Sequence, residues 1–253
     1  MADSFIRSEL LERHGITGLF TTRQGGTSEP PFDSLNFGLN LGDSVEHVAA
    51  NLTQLCASAL LPVPHQARQV HGRDYRWCNG PGTFHDFEAD ALLSREAGSA
   101  LAVRTADCLP VLLADPGTGM AAAVHAGWRG TVANIVADTI EAMTNSGAER
   151  SRIVASLGPC IGPCCFAIDR DTAATLATCA DGAENHVKSE HGRYSADLSA
   201  INREQLLASG ILPRHIEILS ACTSCHPERF FSHRRDRGET GRHLAVVALP
   251  AST

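Results

Sequence analysis

Apolar positions along this chain fall into two patterns. Val132, Ile135, Val136 and Ile140 recur at helical spacing, which predicts a helix over 131–144. Leu198, Ile201, Gln205 and Leu206 repeat at roughly the same period and predict another over 197–209. Helices are also predicted over 169–177 and over 44–60, the latter with Asp43 as N-cap and Glu46 three residues on, a capping-box variant. Elsewhere, short apolar runs bounded by turn residues predict strands over 18–22, 66–70, 89–93, 99–103, 109–114, 121–125, 153–157, 216–219 and 244–249. These elements alternate irregularly, which points to an α/β (α+β) fold with mixed sheets rather than a doubly wound one. No repeat, low-complexity tract or long linker interrupts residues 1–253, so the pattern predicts a single domain.

Hydrophobic residues make up 43% of the chain, enough for a sizeable core. The net charge of −7 argues against an electrostatically driven nucleic-acid binder. The apolar runs are too short for a membrane helix, and the first residues lack the basic-then-apolar order of an export signal. The expectation is therefore a cytoplasmic protein with no membrane or nucleic-acid partner. Nine cysteines, an odd number in a long chain, read as reduced thiols and not as a disulfide framework. Oligomeric state leaves no mark on this pattern.

Candidate chemistry concentrates between Thr105 and Thr131. A predicted hairpin carries Cys108 before its first strand and His125 at the end of its second. With His71, these residues could form a three-ligand metal site with an open fourth position, the catalytic arrangement for zinc. The same residues also read as a Cys–His nucleophile pair, or as a core thiol beside hydrogen-bonded histidines. Gly127-Trp128-Arg129-Gly130-Thr131 leads into a helix where an anion could dock, with Arg129 as its fixed charge. The structural alternative is a glycine turn with a Thr N-cap, a packed Trp128 and Arg129 in an ion pair. Downstream, 230–242 is a basic loop, read either as solvated surface or as an anion-binding lid carrying Arg234, Arg235 and Arg242.

Three cysteine patterns are set aside. Cys222-Thr-Ser-Cys225-His226 matches the c-type haem attachment pattern, whose chemistry belongs outside the cytosol. His215-Ile-Glu217 followed by Cys222 and Cys225 partly matches the zinc nucleobase deaminases, but lacks their Pro and their spacing. Cys160, Cys164 and Cys165, flanked by Gly-Pro, are expected to be buried turn residues.

Several segments together identify a family. TTRQGGTSEPPFDSLNFGLNLGD, QVHG, TADCLPVLLAD, HAGWRGT, GPCIGPCCF, NREQL and CTSCHPERFFSHRRDRGETGR resemble the purine nucleoside phosphorylase family with the laccase domain. Its members were formerly called multicopper polyphenol oxidases. The resemblance covers nearly the whole chain in order. It implies a single α/β/β/α layered domain, similar to the catalytic domain of the cytotoxic necrotizing factor toxins, and a zinc site made by His71, Cys108 and His125. Relatives usually carry Asn-Arg in the first helix where this chain has Asn51-Leu52, which puts any charge role there in question.

The resemblance also implies phosphorolysis of adenosine, inosine and methylthioadenosine, with adenosine deamination as a second activity. The expected partners are thus small-molecule purine nucleosides and phosphate. Cys108, His125 and Arg129 are the expected catalytic residues, and Arg129, Arg234, Arg235 and Arg242 the candidate phosphate holders. An amidase or peptidase editing a cell-wall precursor is the first rival. A copper-dependent polyphenol oxidase is the second; Cys and His accept copper as well as zinc, but the chain has no His-x-His pair. A zinc-stabilised scaffold is the non-enzymatic alternative.

Overall fold

Continuous apolar strands need cover on both faces, and this chain supplies it by stacking two sheets between helices. The computed structural model describes residues 4–251. The first third runs β1 (Phe5–Arg7), α1 (Glu9–Arg13), β2 (Thr17–Thr21), α2 (Val45–Ala59), β3 (Gln66–Arg68), β4 (Tyr75–Trp77) and β5 (Phe84–Glu88). The middle adds β6 (Ala91–Ser94), β7 (Ala100–Thr105), β8 (Leu109–Asp115), β9 (Met120–Ala126), α3 (Trp128–Val132), α4 (Ile135–Asn145) and β10 (Val154–Leu157). The remainder comprises β11 (Ala167–Ile168), α5 (Arg170–Ala177), β12 (Val187–Glu190), β13 (Arg193–Ala196), α6 (Leu198–Ala208), β14 (Ile216–Ile218) and β15 (His243–Ala248).

One sheet is antiparallel, in the order β1-β2-β15-β7. The larger one, β14-β10-β8-β9-β6-β4, is mixed: β14 runs parallel to β10 and β4 parallel to β6, while the inner pairs are antiparallel. Side chains alternate across each strand, and the core divides accordingly. Phe20, Leu101, Val103, Ala245 and Val247 of the smaller sheet meet Leu92, Leu112, Ala121 and Ala123 of the larger. On its other face the larger sheet sets Leu93, Val111, Leu113 and Val124 against Ile135, Ile140 and Met143 of α4 and Ile201 and Leu206 of α6. The smaller sheet turns Leu19, Ala102, Leu244 and Val246 toward Leu55 and Ala59 of α2. The order of layers is α/β/β/α, as expected. Two small sheets, β3-β5 and β11-β13-β12, are separate from the central pair but adjoin it: His65, just before β3, bridges to Leu101 of β7.

Most predicted elements are present with ends moved by a residue or two, and three differ in substance. Ser44, not Asp43, caps α2: its hydroxyl accepts from the N–H groups of Glu46 and His47, while the Asp43 carboxylate accepts from the N–H of Ser44. The helix predicted over 131–144 is two helices. Gly127 is the N-cap of α3, and Asn134, in the left-handed region at φ 62°, separates α3 from α4. The strand predicted over 66–70 stops at Arg68, so His71 sits in a loop with φ 60°. Among the described residues, no helix is long and apolar enough to cross a membrane.

Candidate metal centre and its cavity

The β8–β9 hairpin fixes the first two site residues. Pro110 pairs with His125 and Leu109 with Ala126, so Cys108, immediately before β8, lies beside the end of β9. His71 arrives on the loop after β3, and its ring meets that of His125 edge-on, with centroids 4.8 Å apart. Ligand atoms of His71, Cys108 and His125 all lie within 4.8 Å of one another. His125 is buried, Cys108 half-buried and His71 exposed, so the cluster opens outward on one side.

Asp90, fully buried before β6, organises this arrangement. Its Oδ1 lies 2.7 Å from Nδ1 of His125 and accepts the N–H of His71 at 3.0 Å. Its Oδ2 accepts from the N–H groups of Val70 at 3.1 Å and Gly72 at 2.8 Å. Burial would raise this carboxyl, but the hydrogen bond and charge of His125 and the backbone donors hold it below the usual carboxylate range. Burial also pushes the Cys108 thiol up, yet His125 and His71 overcome it and bring the thiol down to about 6. Burial lowers His125, but the Cys108 thiolate and Asp90 outweigh it and raise the imidazole to about 9. Without a metal, the two groups therefore form a thiolate–imidazolium pair.

The residues fit a metal on three counts. The donor set, one thiolate and two imidazoles, is an accepted catalytic zinc set. A carboxylate on the remote ring nitrogen is the usual support for a ligating histidine. Finally, a Cβ at Gly127 would stand 3.0 Å from Cys108 Sγ and 3.3 Å from His71 Cδ2, so the backbone closes tightly behind the ligands.

Above the cluster opens a cavity of about 640 Å³. This is the size of a small-molecule site. His71, Cys108 and His125 line it, the aromatic rings of Phe84, Trp128 and Phe166 form apolar parts of its wall, and Arg68, Arg104, Arg234 and Arg242 bring cationic groups. Arg104 donates to Ala67 O and Arg242 to Thr240 O and Gly241 O, yet Nη1 of Arg104 is buried with no hydrogen-bond partner. Burial, followed by the like charge of Arg242, lowers Arg104 to about 10. Two guanidinium groups that line one half-buried wall and repel each other are a ready receptor for an anion.

The family described as multi-copper polyphenol oxidoreductase laccase matches residues 17–250. The chain belongs to this family. It is 38% identical over 246 residues to a protein of Geobacillus stearothermophilus named purine nucleoside phosphorylase YlmD, covering 92% of this chain and 89% of that one. The Escherichia coli relative named purine nucleoside phosphorylase YfiH is 36% identical over 237 residues, covering 93% and 94%. The solved structure of YlmD from Geobacillus stearothermophilus superposes with a TM-score of 0.87 at 33% identity, covering 99% of this chain and 97% of that one. The Bacillus licheniformis hypothetical protein YfiH gives 0.91 at 31% identity, with coverage of 98% and 97%.

Within this laccase-domain chain, the anticipated residues separate into those that gather and those that do not. His71, Cys108, His125, Arg234 and Arg242 share the cavity. Arg129 does not: it is exposed and lies over the Trp128 ring, 4.3 Å from its centroid. Arg235 is also absent from the cavity wall. It bonds to the carbonyls of Thr223 and Phe230 and pairs with Asp236, which makes it a fastener of its own loop. Glu217 accepts from the hydroxyls of Ser8 and Ser156 in the sheet, far from zinc-deaminase chemistry. Cys160 is buried as expected, but Cys164 is exposed and Cys165 half-buried, so these two are not the buried turn residues anticipated.

Three site residues escaped the sequence reading. Asp90 had a visible signal, a carboxylate immediately ahead of an apolar strand, where burial demands partners. Arg104 had a similar one, a guanidinium inside the apolar run of β7. Asp107 is buried at φ 87°, its carboxylate accepting from Thr223 Oγ1 at 2.6 Å and the N–H of Arg234 at 2.7 Å. Asp107 thereby ties the C-terminal loop to the residue next to Cys108. No local pattern announces that bond.

Proposed function

We propose that this chain is a zinc-dependent purine nucleoside phosphorylase acting on adenosine, inosine and methylthioadenosine, with adenosine deamination as a second activity. The observation that carries the reading is the joining of the His71–Cys108–His125 cluster to arginines and aromatic rings in one cavity. The names of the curated relatives support it. In phosphorolysis a phosphate oxygen forms a bond to the sugar C1′ as the C1′–N9 bond breaks; the purine takes up a proton and leaves as the free base, and the sugar 1-phosphate remains (ribose 1-phosphate from adenosine or inosine). Positive charge grows on the sugar during that exchange, so the phosphate must be held close and aligned.

In this cavity Arg104, Arg234 and Arg242 hold and orient the phosphate, and their charge offsets its own. Phe84, Trp128 and Phe166 offer faces for the purine and exclude water from that part of the wall. Asp90 keeps the His125 ring in one orientation, with Nε2 free to face the cluster. A metal held by His71, Cys108 and His125 would supply Lewis-acid polarisation where the substrate sits.

A second reading has an observation of its own. The Cys108 thiolate beside the His125 imidazolium is the resting state of a cysteine nucleophile, which would suit an amidase or peptidase. One experiment separates the two. Metal-analysed protein is incubated with adenosine, with and without phosphate, and the products are resolved by chromatography. Adenine with ribose 1-phosphate, formed only when phosphate is present, is the expected result, with inosine as the deamination product. Release of neither adenine nor inosine at any metal loading would overturn the proposal.

A further inference from the structure

A second group of potential ligands lies outside the cavity wall. Cys164 and Cys165 sit in the loop that leaves β10, and Cys222 and Cys225 in the loop that leaves β14. Because β10 and β14 run parallel as neighbours, both loops emerge from the same end of the sheet. They are laced together there: Thr223 N–H donates to Cys160 O at 3.0 Å, and Cys160 and Cys222 form an isolated parallel bridge. The four sulfur atoms all lie within 4.8 Å of one another, with Cys225 Sγ at 3.5 Å from Cys164 Sγ and 3.4 Å from Cys165 Sγ. All four are free thiols.

The geometry points to a tetrathiolate site for zinc or a cation of the same tetrahedral, thiolate-preferring class, held by Cys164, Cys165, Cys222 and Cys225. Sulfur atoms about 2.3 Å from a tetrahedral zinc stand about 3.8 Å from each other. The observed separations bracket that value, whereas a disulfide needs about 2.05 Å. Packing against the core accounts for Cys165 and Cys222 but not for gathering all four. Two of the thiols are exposed, so gathering four of them gains little apolar burial. The backbone is shaped to the group as well. Gly162 donates its N–H to Cys222 Sγ at 3.2 Å, and a Cβ there would stand 3.3 Å from Cys222 Cβ and 3.4 Å from Cys164 Sγ. Backbone N–H bonds to sulfur are the support that thiolate ligands use.

A third group, the trio His65, Cys78 and His85, lacks this character. His65 Nδ1 is engaged by His85 Nε2 at 2.9 Å and its Nε2 by Gly80 O at 3.2 Å, so both ring nitrogens are already satisfied.

The tetrathiolate site is a structural staple with a consequence for the cavity. The loop it clamps on one side carries Ile161 and Phe166, which line the cavity. The other loop carries Thr223, whose hydroxyl bonds Asp107 beside Cys108. Closing the staple therefore sets the position of one wall without placing a ligand in it. Its reality does not depend on the phosphorylase reading.

The test is metal analysis of the full chain purified under reducing, metal-sufficient conditions. Wild type is expected to hold two equivalents of zinc; Cys222→Ser with Cys225→Ser should keep one, and so should Cys108→Ala. Cobalt substitution in the Cys108→Ala background should show the intense thiolate-to-cobalt charge-transfer bands of four sulfur ligands, a readout that survives if the serine variant fails to fold. No zinc in the Cys108→Ala variant, unchanged zinc in the double serine variant, or a disulfide among the four cysteines by mass spectrometry would each overturn it.

Discussion

Asp90 Oδ1 stands 2.7 Å from His125 Nδ1, and the same fully buried carboxylate collects the N–H groups of Val70, His71 and Gly72. One side chain thus orients His125 on β9 and seats the loop that brings in His71 from after β3, the two histidines of the proposed metal site. The two histidines are far apart in sequence, so their meeting depends on this shared anchor. The site is pre-organised before any metal arrives.

Asp90→Asn keeps the shape but loses the charge and part of the acceptor capacity. Metal affinity should fall by about ten- to a hundredfold, as for other supporting carboxylates. Asp90→Ala should fall further, because three backbone donors lose their acceptor in a buried place. Zinc competition with a chromophoric chelator measures both. Wild-type affinity in Asp90→Asn would show that the carboxylate supports only the loop.

The metal-free protein should carry a reactive Cys108. Its thiol, lowered to about 6, is deprotonated at neutral pH, while His125, raised to about 9, stays protonated. Alkylation at Cys108 should therefore rise as pH passes about 6 and level off well below the ~8.5 midpoint of a free cysteine. His125→Ala removes the main charge that holds the thiol down and leaves the burial that pushes it up, so the midpoint should move upward. Peptide-resolved mass spectrometry separates Cys108 from the exposed Cys164 and Cys225. Added zinc should protect it.

What could be read from the sequence was what local pattern controls. The α4 core positions, the β8–β9 hairpin and the starts of α5 and α6 each depend on neighbours in the chain, and each was foreseeable. The ligand trio was only one of several readings until the family resemblance selected it, because separations of tens of residues carry no geometry. The left-handed Asn134 that divides α3 from α4 left the apolar period intact, so spacing alone ran the two together. The arginines were the least legible. Arg129 is turned outward by α3, while Arg235 differs from Arg234 and Arg242 in which way the folded C-terminal loop turns it, decided by contacts such as Arg234 N–H to Asp107.

That sorting has a kinetic consequence. Arg242→Gln and Arg234→Gln should each raise the KM for phosphate by about ten- to a hundredfold, matching the ~1.5–3 kcal/mol of a hydrogen bond to a charged group. The KM for nucleoside should change far less. Arg129→Ala should leave the phosphate KM unchanged, since that guanidinium lies over Trp128 and outside the cavity wall. Initial rates at varied phosphate decide it. A large effect from Arg129→Ala would relocate the anion site to the start of α3.

Gly127→Ala isolates crowding behind the proposed metal ligands. The glycine has φ −66°, open to any residue, so alanine introduces no backbone strain. The added methyl nevertheless meets Cys108 Sγ at 3.0 Å and His71 Cδ2 at 3.3 Å, and both lie among the site's ligands. Close-packed interiors give way by displacing the softer neighbour. The exposed His71 ring, on its loop, should yield before Cys108, which the β8–β9 hairpin holds. Zinc affinity should therefore fall while the melting temperature of the metal-free protein stays near wild type, with only the small loss expected for alanine at an N-cap. Chelator competition and thermal melts with and without zinc read the two effects apart. Equal destabilisation of both forms would mean that the methyl disturbs the hairpin rather than the site.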